Sequence, residues 1–173
     1  MLKFISHYLV GRAEKRIGVE LDYAHQIADT DFGLMSRYGK IFAFLDPNKK
    51  VPALAYHAAR IRGAVGADCG TCVEVEVNLA KASAIATQTI KALLKKDYVD
   101  LPPEISAVAR LTDAVVLNRQ DDPDARAEVQ QAYGNAGLIE ICYAMNGAAL
   151  LPGIKRAMGY ATHCDLPLLN GKL

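Results

Sequence analysis

The sequence predicts an all-α fold from three observations. Ala, Leu, Ile and Lys recur at helical spacing along most of the chain, Gly and Pro gather at a few punctuation points, and strand-like alternation is confined to Val73-Glu74-Val75-Glu76-Val77. With 51% hydrophobic residues over 173, the chain can bury the core of one ordinary domain.

Taken in order, a first helix is expected over 2–16. Its apolar patch (Leu2, Phe4, Ile5, Leu9, Val10) is interrupted by His7 and Tyr8 and followed by Arg12, Lys15 and Arg16, too short and polar for a signal or membrane segment. A helical region follows over 20–45, broken near Asp29–Gly33, and Asp46-Pro47-Asn48-Lys49-Lys50 reads as a turn. From Pro52, LAYHAARIRG predicts a helix with Pro at its first position, ending at Gly63 and Gly66.

The next helix is expected to start at Asp68 as N-cap and to run through Leu79, Ala82, Ile85 and Ile90 to Lys96. The Val73–Val77 alternation lies inside that pattern without turn signals, so it reads as helix. Asp97–Pro103 is a linker, and Glu104–Asn118 is a further helix. Asp122-Pro123 caps and opens a helix that Gly134 closes. The last long helix is expected over Ala136–Ala149, with Pro152-Gly153 kinking or breaking it before Ile154–Gly159. The tail from Ala161 has no periodicity.

Charge excludes one class of partner. Twenty basic residues face nineteen acidic ones, a net of +1, and no basic run is interleaved with aromatics, so nucleic acid is not an expected ligand. The chain reads as a soluble, cytoplasmic protein with no membrane association. Four cysteines are too few for a secreted disulfide framework, which leaves a close pair as redox-active or metal-binding.

That pair is Cys69 and Cys72, three residues apart and so on one helical face, near enough to bridge reversibly. In the first turn of a helix, free amides and the dipole favour a thiolate, while a capping Asp68 would oppose it. Glu76 lies four residues after Cys72 on the same face and could serve as general base if burial raised its pKa. Taken alone, such a glutamate is more commonly a solvated helix residue. His57 lies 12 residues before Cys69, where a helical hairpin turning at Gly63–Gly66 would return it to the thiols as a proton shuttle. Taken alone, it is more commonly a hydrogen-bonded, partly buried histidine. A zinc site would have to recruit Cys142, His163 and Cys164, none of them in a second close pair. Cys142 sits in an apolar run and reads as a core thiol.

The segment His57–Ala80, HAARIRGAVGADCGTCVEVEVNLA, resembles the alkylhydroperoxidase D-like branch of the carboxymuconolactone decarboxylase superfamily. The signature of that branch has Glu 12 residues before a CxxC and His four after it. Here the two are exchanged, giving His57, Cys69, Cys72, Glu76, a reciprocal swap that suggests a retained proton relay. LPPEISAVARLTDAVV and DARAEVQQAYGNAGLIEICYAMNGAALLPGIKRAMG look like the later helices of that superfamily. The resemblance covers about 35–160, leaving an N-terminal helical arm over 1–34 and an irregular tail over 161–173.

What the resemblance implies is an alkylhydroperoxidase-like helical bundle assembled as homotrimers or hexamers, and a thiol-dependent peroxidase or disulfide oxidoreductase. Cys72 would attack a hydroperoxide or disulfide, and Cys69 would resolve the product to an intramolecular disulfide. A dithiol reductant, such as a dihydrolipoyl or thioredoxin-like protein, would complete the cycle without a bound cofactor. The alternatives are a non-enzymatic redox-sensing or oligomeric binding protein and a carboxymuconolactone decarboxylase-type enzyme, the latter disfavoured because that chemistry needs no cysteine pair.

Overall fold

The computed structural model of the chain describes residues 2–44, 50–163, 165 and 171, and among them helices and turns occur without a strand. The order is α1 (Leu2–Ile17), α2 (Asp22–Thr30), α3 (Phe32–Phe44), α4 (Ala53–Gly66), α5 (Gly70–Ala82), α6 (Thr87–Lys95), α7 (Pro103–Thr112), a π-helical turn (Asp113–Asn118) and α8 (Pro123–Ala157). Four of the expected turn residues, Asp46 to Lys49, and Cys164 lie outside the described residues.

Helix α4 is the axis of the fold. Every residue from Ala55 to Ala64 is buried, and the helix packs against α5, α6, α7 and α8. Its small residues allow that closeness: a Cβ on Gly63 would collide with the backbone carbonyl of Met145 on α8. Gly63 is therefore a crossing point inside the helix, and α4 runs through it to Gly66. Ile61, Val73, Ile90, Leu93, Val108 and Ile141 fill the surrounding core.

The Arg62–Asp113 ion pair is built into this core. Arg62 Nη2 lies 2.6 Å from Asp113 Oδ1, Arg62 Nη1 donates to the Leu93 carbonyl at 2.9 Å, and Tyr98 Oη donates to Asp113 Oδ2 at 2.8 Å. These bonds tie α4 to the end of α6 and to the π-helical turn, and satisfy groups whose burial alone would be costly.

A second cluster joins the N-terminal arm to the rest. Val10, Leu21, Tyr23, Ala24 and Tyr38 pack with Leu151 and Met158 near the end of α8. Between α1 and α2 a chain of polar contacts runs from Asp29 Oδ1 to His7 Nε2 (2.8 Å), from His7 Nδ1 to His25 Nδ1 (2.7 Å) and from His25 Nε2 to Glu14 Oε1 (3.2 Å).

Several boundaries differ from the sequence reading. The single helix expected over 68–96 is two, because α5 ends at Ser83 in a Schellman motif: Ile85 N–H donates to the Ala80 carbonyl at 3.1 Å and Ala84 N–H to Lys81 at 3.0 Å. Ala84 takes the left-handed position at φ 59, where glycine is usual, so no glycine marks the break. The N-cap of α5 is Cys69, with extended backbone, and Asp68 stands outside the helix at φ 49. Pro152 does not break α8, which continues to Ala157; Ala148, Pro152 and Lys155 share a buried face that holds the helix across the missing hydrogen bond.

Pro52 is the N-cap of α4 and not its first residue, and the helix expected over 104–118 passes into the π-helical turn after Thr112, while the signals around α8 fall where the sequence puts them. Asp122 caps α8 by accepting from Ala125 N–H at 2.9 Å, and Gly134, at φ 67, interrupts the helix part-way along. Among the described residues α8 alone is long and apolar enough to cross a membrane, and it lies packed along α4 and α7.

Candidate active site at the Cys69–Cys72 pair

The turn between α4 and α5 is held from outside by the far end of the chain. Arg156 Nη2 donates to the carbonyls of Ala67 (2.9 Å) and Asp68 (2.7 Å), and Gly70 N–H donates to the Thr162 carbonyl at 3.2 Å. The Thr71 and Thr162 hydroxyls lie 3.1 Å apart. This clamp sets Cys69 at the N-cap of α5 and Cys72 in its first turn.

The two Sγ atoms are 3.0 Å apart, close enough to share a proton and about 1 Å from the bonded length of about 2.05 Å. Their surroundings differ sharply. Cys69 is wholly buried, whereas Cys72 is half-buried and opens on a cavity. The Cys72 thiol, donating to Cys69, pulls Cys69 down to about 6 against its burial; the amides of Cys72 and Thr162 and the Lys155 ammonium assist. Cys72 is pushed up, first by the adjacent Cys69 sulfur and then by burial. Within the reduced pair Cys69 is thus the more acidic sulfur and Cys72 the one that holds the proton.

Lys155 is the cation of this pair. Its side chain is almost fully buried, and its Nζ lies 5.2 Å from the centroid of the Tyr23 ring. It makes no hydrogen bond or ion pair among the described residues. Tyr23 in turn meets Tyr38, with the hydroxyls 2.5 Å apart, and burial raises Tyr23 to about 12 and Tyr38 further, so both stay protonated.

The cavity encloses about 700 Å³ and brings Cys72, His57, Glu76 and Lys155 to one space. Glu76 is not free within it: Arg60 grips both its oxygens, Nε to Oε2 and Nη2 to Oε1, each at 2.6 Å. Arg60 Nη1 also donates to Tyr56 Oη at 3.1 Å. His57 Nε2 lies 2.8 Å from Ser83 Oγ, and its Nδ1 has no hydrogen-bond partner among the described residues. Burial lowers the His57 pKa, with Glu76 pulling it up and Arg60 pushing it down, so the ring is neutral at pH 7. No hydrogen bond joins His57 or Glu76 to either thiol.

The remaining candidates lie apart. Cys142 is half-buried on α8 with a thiol raised by burial, and the fully exposed His163 ring stands 3.5 Å from Asp68 Oδ2. Among the described residues no three His, Cys, Asp or Glu side chains are placed to hold a metal ion.

The chain matches no family model, no curated protein and no solved structure. Sequence reasoning passed over Lys155, Arg60 and the cavity-lining face of α1. Arg60 was within reach, since it follows His57 by three positions on the same helix face. Lys155 carried no local signal, as a lysine in the last turn of a helix is ordinarily a solvated partner of the dipole.

Proposed function

We propose that the protein is a thiol-dependent peroxidase or disulfide oxidoreductase of the alkylhydroperoxidase D-like kind, in which Cys72 attacks and Cys69 resolves. The observation that carries the reading is the 3.0 Å thiol pair with one sulfur buried and the other open to a cavity. Access assigns the roles. Cys69 holds the charge at rest, but an oxidant meets only Cys72.

In the first step the shared proton crosses from Cys72 to Cys69, and the Cys72 thiolate attacks the terminal oxygen of a hydroperoxide. The O–O bond breaks, Cys72 becomes a sulfenic acid, and the leaving alkoxide takes a proton that His57 relays from solvent and becomes an alcohol. Cys69 then attacks the sulfenic sulfur, the S–S bond forms, and the hydroxyl leaves as water with the Cys69 proton. A dithiol donor reduces the disulfide by exchange and is itself oxidised. Lys155 offsets the negative charge on the pair in the resting state.

The exchanged His57 and Glu76 divide the work differently from a two-member relay. With both oxygens on Arg60, Glu76 is a fixed charge that anchors α5 to α4. Proton handling falls to His57, the one imidazole on the cavity, which burial keeps neutral. The same reading favours a reducing, cytoplasmic setting and a homo-oligomer, for which the exposed Phe4, Ile5 and Tyr8 on α1 offer an apolar face. A redox sensor would share the disulfide; the cavity over Cys72 favours a substrate.

Peroxide consumption in the presence of a dithiol donor is the test. Cys72→Ser is expected to abolish it and Cys142→Ser to leave it intact. Equal turnover by Cys72→Ser and wild type would end the reading.

A further inference from the structure

Helix α1 gives the cavity its chemical preference. It contributes Leu9, Arg12, Ala13, Arg16 and Ile17, at offsets of 3, 4, 7 and 8 residues, so one helical stripe covers the space above Cys72. The facing walls on α5 and α8 are mainly apolar, with Val75, Leu79 and Leu151 among them. The lining carries four cations, Arg12, Arg16, Arg60 and Lys155, against one carboxylate, Glu76, and that carboxylate is spent on Arg60.

Three positive charges are therefore left without a carboxylate. Arg12 and Arg16 are exposed at the mouth, and neither forms a hydrogen bond or ion pair among the described residues. Lys155 is 4% exposed at the inner end, again without a carboxylate. An ammonium buried without a partner is unfavourable, and here its countercharge is the thiol pair. A ligand carboxylate at Lys155 would compete with that thiolate for the same cation. One at the mouth meets two free guanidinium groups, four residues apart on one face, suited to a planar oxyanion.

We propose that the cavity takes an amphipathic organic anion, an unbranched acyl chain whose carboxylate pairs with Arg12 and Arg16 and whose apolar body runs inward to Cys72. The volume suits one such molecule. The proposal deepens the redox reading, on which it rests for the chemistry at the inner end. There a hydroperoxide remote from the carboxylate would lose its terminal oxygen to the Cys72 thiolate and leave as the hydroxy acid, the electrons coming from the dithiol pair.

The probes are decanoate, decan-1-ol and acetate, titrated calorimetrically into the reduced protein below micellar concentration. Decanoate is expected to bind at least about tenfold tighter than decan-1-ol, to slow alkylation of Cys72, and to weaken with salt, while acetate does not bind. Arg12→Gln with Arg16→Gln is expected to erase the preference for decanoate over decan-1-ol, and Lys15→Gln, the loss of one positive charge on the same helix but off the cavity face, to preserve it. Equal affinity for the acid and the alcohol, an unchanged double variant, or an equal loss in Lys15→Gln would overturn the proposal. Decanoate binding that persists in a protein without peroxidase activity would count against the redox reading alone; turnover without any preference for the anion would count against this inference alone.

Discussion

Arg60 and Glu76 form a two-pronged ion pair between α4 and α5, with two 2.6 Å bonds and side chains only 7% and 4% exposed. Removing one partner strands the other charge in the core. Glu76→Gln is expected to destabilise the protein by about 3–5 kcal/mol, read by urea unfolding, with Arg60→Met similar and the double variant recovering much of the loss. Additive losses in the double variant would show that the pair is not the source. By contrast, any slowing of thiol reactivity in Glu76→Gln should track misplacement of α5 and not the loss of a base.

The charge on Cys69 has a pH signature. Ultraviolet absorbance of the thiolate is expected to titrate near pH 6 in the reduced protein and to lose that phase in Cys69→Ser. The folded pKa lies below the ordinary value of 9.0, so between about 6 and 9 the unfolded chain holds more protons than the folded one. Stability of the reduced protein should therefore rise with pH across that window. Lys155→Met is expected to move the transition upward, and no thiolate signal below pH 8 would refute the assignment.

His57 works in the opposite chemical sense with the same slope. Its folded pKa lies below 6.5, so as pH falls through 6.5 the unfolded chain gains a proton first and stability is lost toward acid. His57→Gln is expected to flatten that limb of the stability–pH curve. His57→Ala should also slow reaction with peroxide by about 10-fold or more if the ring handles protons. Reaction at the wild-type rate would remove His57 from the mechanism.

At the crossing of α4 and α8, Gly63 leaves no room for a methyl group against the Met145 carbonyl. Gly63→Ala should destabilise by about 1–3 kcal/mol, despite alanine's better helix propensity. Thermal unfolding at or above the wild-type midpoint would show that the helices can separate there.

Much of the architecture is readable from local signals. Asp122-Pro123 opens α8, Gly134 interrupts it, and the hairpin of α4 and α5 follows from its apolar spacing and its glycines. The alternation at Val73–Val77 is helical because the wider pattern outweighs five residues. What escapes is what local chemistry does not announce: a Schellman motif closed by Ala84, a proline carried through a buried helix, and Gly63 as a contact point inside α4. At the site, the spacing of His57, Cys69, Cys72 and Glu76 does bring three of them to one cavity with Cys69 directly behind. The partners that set their charges, Arg60 and Lys155, and the roof from α1 depend on tertiary contacts between distant segments, to which periodicity is blind.

The clamp on the turn before Cys69 places a time stamp on reactivity. The groups that lower its thiol include Lys155 and the Thr162 amide, and Arg156 fixes the carbonyls beside it. A growing chain makes both cysteines long before it makes these residues. Until α8 docks, the pair lacks its cation and its brace, and only the local contact with Cys72 favours a Cys69 thiolate. The acidity of Cys69 is thus completed only when the end of α8 and Thr162 have come to rest against the turn.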